Sequence, residues 1–313
     1  MFPATIPRLP LASRPLAGAG LALLGAACFA TKGIFVKLAL TVGIDAVTTL
    51  AWRMLIAVPI FVAVGSLGYR RRLRDRAPGA PPLLDRTSLL QTLGVGLIGY
   101  YAASYLDFAA LTYITAQLDR LILLTYPFLV VLLGALVFGR RVTPAMLAAL
   151  VVSYVGIALI FAHDLAVEGD NAVLGAALVF GAAIAYAAYQ ILAKPLIDRL
   201  GPQLFTSLAM SAAGPAVIVH FLLTHPLAAL AVDAYGFALM VALATLSTVL
   251  PGYCISAAIG LIGPERTAVI GNVSPLVTVL LAIVVLGESF TPWHALGTAL
   301  VLGGVWLFER RTR

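Results

Sequence analysis

The chain has 313 residues, of which 62% are hydrophobic and only 11% charged, and its mean hydropathy is +1.04. A soluble domain carries roughly 25% charged residues, so this composition excludes a globule covered for water and points to an integral membrane protein. The net charge of +7 sits in short basic clusters between apolar runs, as on the cytoplasmic face of a membrane protein, and argues against a nucleic-acid partner.

The apolar runs are long and do not alternate, which selects helices over barrel strands. Ten spans are predicted at 17–40, 46–68, 88–111, 114–138, 143–162, 172–196, 202–223, 234–260, 264–286 and 292–308. Arg8 and Arg14 precede the first run in the manner of a signal peptide, but that run continues to Leu40. It is long enough to cross a bilayer, so it is expected to stay as an uncleaved span. Cys28 and Cys254 lie inside apolar runs and read as small packing residues.

The loop after the second run holds Arg70, Arg71, Arg72, Arg74, Arg76 and Arg86. The positive-inside rule makes it cytoplasmic. Alternation then puts both termini inside, together with Arg140-Arg141, Lys194 and Arg266, and leaves the acidic loop with Asp164, Glu168 and Asp170 outside. The expected location is a bacterial inner membrane.

One stretch occurs twice. A shift of 148 positions carries Tyr105 onto Tyr253, Pro127 onto Pro275, Gly139 onto Gly287, Thr143-Pro144 onto Thr291-Pro292 and Gly156 onto Gly304. Apolar residues match by chance; coincident Pro, Gly, Tyr and Thr-Pro do not. A weaker match at a shift of 157 relates Gly18-Ala19 to Gly175-Ala176 and Lys37 to Lys194. The predicted fold is therefore an all-α integral membrane protein whose ten transmembrane helices form two inverted five-helix repeats, 1–162 and 172–313, joined by an outer linker at 163–171. Five spans per half is odd, so the halves enter the membrane from opposite sides, as in many secondary transporters.

The run Tyr105 to Ala116, followed by Tyr126-Pro127 and Gly139, resembles the third and fourth spans of EamA-type transporters of the drug/metabolite transporter superfamily. The second copy, with Ser274-Pro275 and Gly287-Glu288, resembles them more closely, and the similarity covers nearly the whole chain. The first copy departs from the pattern, reading Gly139-Arg140 where the second has Gly287-Glu288. Arg140 reads as a cytoplasmic loop charge, and Glu288 as a residue shaping a helix end. The resemblance implies export of small metabolites from the cytoplasm, with amino-acid exporters, those for aromatic amino acids included, as prominent members. A facilitative channel or a multidrug efflux carrier is the alternative. No cofactor or metal is implied; the expected partners are a small-molecule substrate and membrane lipid, for a monomer or homodimer.

Pro127 and Pro275 fall near mid-span, where a proline removes one helical hydrogen bond and kinks the helix; as a matched pair they are hinge candidates. Candidate lining residues for a central cavity are Thr31, Lys32, Tyr101, Tyr105, Gln117, Tyr126, Tyr186, Tyr189, Gln190, Tyr253, Ser256, Asn272 and Ser274. Buried phenols need partners for their hydroxyls, and an interfacial aromatic belt is the competing reading for the tyrosines. Charges within spans are expensive and mark function by default. Lys37, Arg53, Asp107, Asp119 and Arg120 map to the outer third of the first half and form a candidate salt-bridged gate. For Lys37 and Arg120, snorkelling to the surface is an equal alternative. His220 stands alone on its span and reads as a packing histidine. The fifth and tenth spans, nearly free of polar residues, are expected to be scaffold. An intramembrane enzyme would need catalytic pairs at depth, and the sequence has no His-Glu-x-x-His, Gly-x-Ser-x-Gly or facing carboxylates.

Overall fold

The computed structural model describes residues 14–74, 84–138, 144–168, 171–262, 270–271 and 273–312, and every regular element among them is helical. The first run gives α1 (Arg14–Ala30) and α2 (Lys32–Thr41), parted at Thr31, whose hydroxyl donates to the Cys28 carbonyl. After a short turn, Asp45 accepts the Val47 and Thr48 amides and starts α3 (Ala46–Arg74). The third run is α4 (Arg86–Gly96), capped by Asp85, then a π-helical turn at Leu97–Ala102, then α5 (Ala103–Ala110). The fourth run is again two helices, α6 (Ala116–Leu123), capped by Thr115, and α7 (Tyr126–Phe138). Then come α8 (Pro144–Glu168), α9 (Asn171–Leu200) and α10 (Pro202–Thr224). The eighth run is α11 (Ala234–Ala244), capped by Asp233, a π-helical turn at Thr245–Val249, and α12 (Leu250–Ile262). The chain finishes with α13 (Ser274–Leu286) and α14 (Pro292–Thr312).

Among the described residues, five helices are long and apolar enough to cross a membrane by length and composition: Pro15–Thr41, Ala46–Arg74, Asn171–Ala193, Gln203–Thr224 and Ala234–Ile255. Several of the other predicted spans are interrupted, and here one expectation is corrected. Pro127 and Pro275 do not kink continuous helices. The helix stops at Leu123 and restarts at Tyr126, which makes Pro127 the second residue of α7; Pro275 is likewise the second residue of α13. Proline is favoured in the first turn because the amide it lacks would have no intrahelical acceptor there. The interruption is bridged by short turns, with the Thr125 amide donating to the Ile122 carbonyl and the Phe128 amide to the Thr125 carbonyl, each at 3.0 Å.

The offset of 148 residues holds for the elements themselves. It carries α4 onto α11, the π-helical turn beginning at Leu97 onto that beginning at Thr245, α7 onto α13, and the start of α8 onto the start of α14. It even carries one cap onto another. Asp85 accepts from the Ser88 amide, and Asp233, 148 positions on, accepts from the Gly236 amide. The weaker offset carries the start of α1 onto the start of α9.

Packing exchanges the halves. α1 lies against α12, and α9 lies against α5; α7 meets α9 as α13 meets α1. Small residues set these approaches. A Cβ on Gly18 would lie 2.5 Å from Ile262, and one on Gly175 would lie 2.6 Å from Ile114, a pair of contacts related by the two offsets. α8 packs against α14, where a Cβ on Gly156 would fall 2.5 Å from the Gly297 carbonyl. Gly297 thus makes a contact within the chain. The largest apolar core surrounds α3 and α10 with Met54, Phe61, Phe108, Met210 and Phe221. A second links α8 and α14 to α6 and α9 through Leu118, Leu121, Ile160, Val179 and Val301.

Candidate functional site

The break at Thr31 begins α2 with Lys32, which points its ammonium at Asp107 of α5, 2.8 Å away. Arg53 of α3 comes to the same place. Its Nε donates to Thr248 at 2.9 Å and its Nη1 to Ser104 at 3.2 Å, so one guanidinium ties α3 to α5 and to the π-helical turn of the eighth run. Asp119 and Arg120 enter from α6, and Lys32 interacts electrostatically with both as well as with Asp107. Apolar rings frame the cations: Phe29 lies 5.2 Å from the Lys32 ammonium and 5.4 Å from the Arg120 guanidinium, and Phe108 lies 5.4 Å from that of Arg53. None of Lys32, Arg53, Asp107, Asp119 or Arg120 is more than 5% exposed. The structure therefore corrects the snorkelling alternative for Arg120 and joins Lys32 to the residues expected as a gate. Lys37 interacts electrostatically with Asp119.

A tyrosine cluster adjoins the charges. The π-helical turn turns Tyr100 toward α9, where its hydroxyl meets that of Tyr189 at 2.9 Å. Tyr186 stacks on Tyr189 at 5.6 Å, meets Tyr126 edge-on at 5.0 Å, and shares a hydrogen bond with Gln190. Tyr100, Ser104, Asp107 and Phe108 follow one helical stripe, the spacing at which side chains share a face. Tyr100 lies within electrostatic range of Arg53, and Tyr186 within that of Arg120, so the aromatic cluster adjoins the charged one, and the two together form a polar seam.

Two further groups flank the seam. Tyr101 bonds His220 of α10 at 3.1 Å, and the Tyr105 ring lies 4.7 Å from the same imidazole. His220 is thus held by two of the predicted lining residues. Thr31 meets Ser247 hydroxyl to hydroxyl at 2.6 Å, and Thr278 of α13 donates to the Ala30 carbonyl at 3.0 Å, satisfying one group freed by the break in the first run. Tyr253 stands apart, facing Ser207 at 3.4 Å and the Phe61 ring. The Ser274 hydroxyl is buried without a hydrogen-bond partner. Asn272 lies outside the described residues, as do Arg140, Arg141 and Arg266, and nothing is described of the Pro127, Lys194 and Ser256 side chains.

Glu288 closes one side of the seam. Its carboxylate accepts the Ala116 amide at 2.7 Å and the Gln117 amide at 3.2 Å, capping α6 with a charge from the other half of the chain. Gln117 adds a bond from its Nε2 to the Ser289 carbonyl at 3.3 Å. An anion suits a helix N-terminus because the unpaired amides and the helix dipole converge there. The Gly-Glu motif signalled a helix end; its partner 172 residues away could not be read from it, and neither could Ser104, Ser247 and Thr248, ordinary hydroxyls within apolar runs. A shallow depression of about 360 Å³ lies elsewhere, between the α2–α3 turn and residues 229–233.

The chain resembles known proteins along most of its length. The model of the EamA-like transporter family matches it twice, at residues 16–162 and 173–310. An uncharacterized transporter of Bacillus subtilis, YcbK, is 28% identical over 87% of this chain and 86% of its own. An uncharacterized transporter of Synechocystis, sll1319, is 27% identical over 80% of this chain and 75% of its own. A solved crystal structure, 18% identical, covers 96% of this chain and 99% of its own with a TM-score of 0.62, a likeness of fold.

Proposed function

Because the chain belongs to the EamA-like transporter family, we propose that it is a ten-span, inverted-repeat carrier that exports amino acids or related small metabolites from the cytoplasm by alternating access. The observation that carries this reading is the recurrence of elements and packing at the two offsets, with the polar seam lying between the exchanged halves. Substrate and ion sites of such carriers lie at the repeat interface, beside interrupted helices whose ends offer free backbone groups. The breaks before Pro127 and Pro275 are the hinges of this proposal. The tyrosines with Gln117, Gln190 and Ser274 bind the solute, and the ion pair of Lys32 and Asp107 belongs to the gate.

Orientation follows from charge. At one end of the bundle Arg72 donates to the Leu200 carbonyl and Arg199 pairs with Asp85 at 3.0 Å; this is the proposed cytoplasmic end, with both chain termini on the same side. The opposite end carries Asp45, Asp233 and Glu288. The inner membrane of a bacterium is the proposed location.

The test is a screen of labelled amino acids in proteoliposomes, with and without a pH gradient. Saturable flux of one or more amino acids is expected. Movement of lipophilic cations with no amino-acid flux would assign the protein to multidrug efflux instead.

A further inference from the structure

Among the described residues the fully buried charges of the seam do not balance, and the partly exposed Glu288 and Lys37 at its edge, one of each sign, leave the excess unchanged. Lys32, Arg53 and Arg120 face Asp107 and Asp119, three cations against two anions, all nearly sealed from solvent. Lys32 and Arg53 have partners, in Asp107, Ser104 and Thr248. Arg120 is different. Its Nε and Nη2 are buried and make no hydrogen bond, and its guanidinium lies over the Phe29 ring. A buried charge with open donors is costly, and each such group calls for an explanation in an unseen ion, water or ligand.

The fold does not require this charge. The offsets that superpose the halves put Tyr189, Ile255, Thr267 and Ala268 at the positions of Lys32, Asp107, Asp119 and Arg120. The matching positions of the sequence thus carry no charge in the second half. What the first half gains by carrying them is electrostatic.

The open atoms also specify a shape. Nε–H and an Nη2–H point the same way from one edge of a guanidinium, the planar fork that matches the two oxygens of a carboxylate. We propose that the Nε/Nη2 edge of Arg120 anchors a carboxylate of the transported solute. The inference rests on the transporter reading above and narrows its substrate class to carboxylate-bearing solutes. The Phe29 ring packs beside the anchored group, and Asp119 next to Arg120 weakens the hold on an anion enough to let it leave.

The test uses the purified full-length protein in detergent and reads thermal stability against ligand concentration. The probes are the twenty amino acids, benzoate, and the carboxamides of leucine and phenylalanine, with chloride and inorganic phosphate as separate arms. At least one carboxylate is expected to stabilise saturably, and its carboxamide to do so at least about tenfold more weakly. Arg120→Lys, which keeps the charge and loses the fork, is expected to weaken the carboxylate about tenfold or more. Asp119→Asn removes a competing anion and is expected to tighten it about threefold or more, which keeps the test open should the Arg120 variant fail to fold.

Equal stabilisation by acid and carboxamide overturns the proposal. So does response to chloride or phosphate alone, or to none of the carboxylates. Flux of carboxamides without acids in proteoliposomes leaves a carrier and removes the anchor; saturable binding of acids with no flux removes the carrier and leaves the anchor.

Discussion

The Lys32 ammonium and the Asp107 carboxylate meet at 2.8 Å with 7% and 2% of their side chains exposed. A buried ion pair gains little over an apolar pair of similar size, but a lone buried charge is expensive. Lys32→Met is therefore expected to cost about 3–5 kcal/mol, and the double variant with Asp107→Leu to recover most of that loss, as read by a double-mutant cycle on unfolding in detergent. A double variant no more stable than the single one would refute the pairing. Asp45 gives a second, milder test outside the spans. Partial burial pushes its carboxyl up, but the Thr48 hydroxyl and amide, His225 and the Val47 amide outweigh burial and hold it below its usual range. A carboxyl held low when folded adds stability above its unfolded value and loses it as pH falls through the folded one. The stability difference between wild type and Asp45→Asn should thus be constant above about pH 4 and shrink below it. At this scale the sequence exposed the residue types but not their partners: Lys32, Arg53, Asp107 and Arg120 were conspicuous as charges in apolar runs, while Thr248 and Ser104, which receive Arg53, looked like any other hydroxyls.

Helix interruptions are what bring those residues together. The turn at Thr31 sets Lys32 at the start of α2, and the π-helical turn at Leu97–Ala102 rotates Tyr100 and the α5 stripe relative to α4. A single extra residue per turn is invisible in apolar periodicity, so the sequence showed one continuous span there. The repeated proline was legible, but its consequence was not, because a mid-span proline is compatible with either a kink or a restart. The two differ in sign. A proline inside a helix costs about 3 kcal/mol, so its removal would stabilise; a first-turn proline stiffens the unfolded chain, and Pro275→Ala is expected to destabilise by about 0.4–1 kcal/mol. Thermal unfolding of the variant decides between them. The contact of α8 with α14 is equally specific: Gly297→Val would drive its side chain into the Gly156 carbonyl and Ile160. It is expected to lose about 1–3 kcal/mol through overpacking, and unchanged stability would contradict the close approach.

Across the whole molecule, the duplication was the most legible property, since Tyr, Pro and Gly recur at one spacing and the helix limits follow the same spacing. The exchange of packing partners between halves was not legible, because a repeat in one dimension carries no distances. It is this exchange that builds a polar seam from both halves while leaving its fully buried charges in one. A symmetric frame with an asymmetric, cation-rich seam suits a carrier that turns one binding site to either side of the membrane, and such a carrier couples the two directions of flux. The most direct measurement is counterflow in proteoliposomes: vesicles preloaded with an unlabelled carboxylate-bearing amino acid that binds the purified protein, then diluted into trace label of the same solute. Transient accumulation of label above equilibrium, lost in Arg120→Lys, is the expected result; simple equilibration at a rate indifferent to preloading would contradict alternating access and point to a channel.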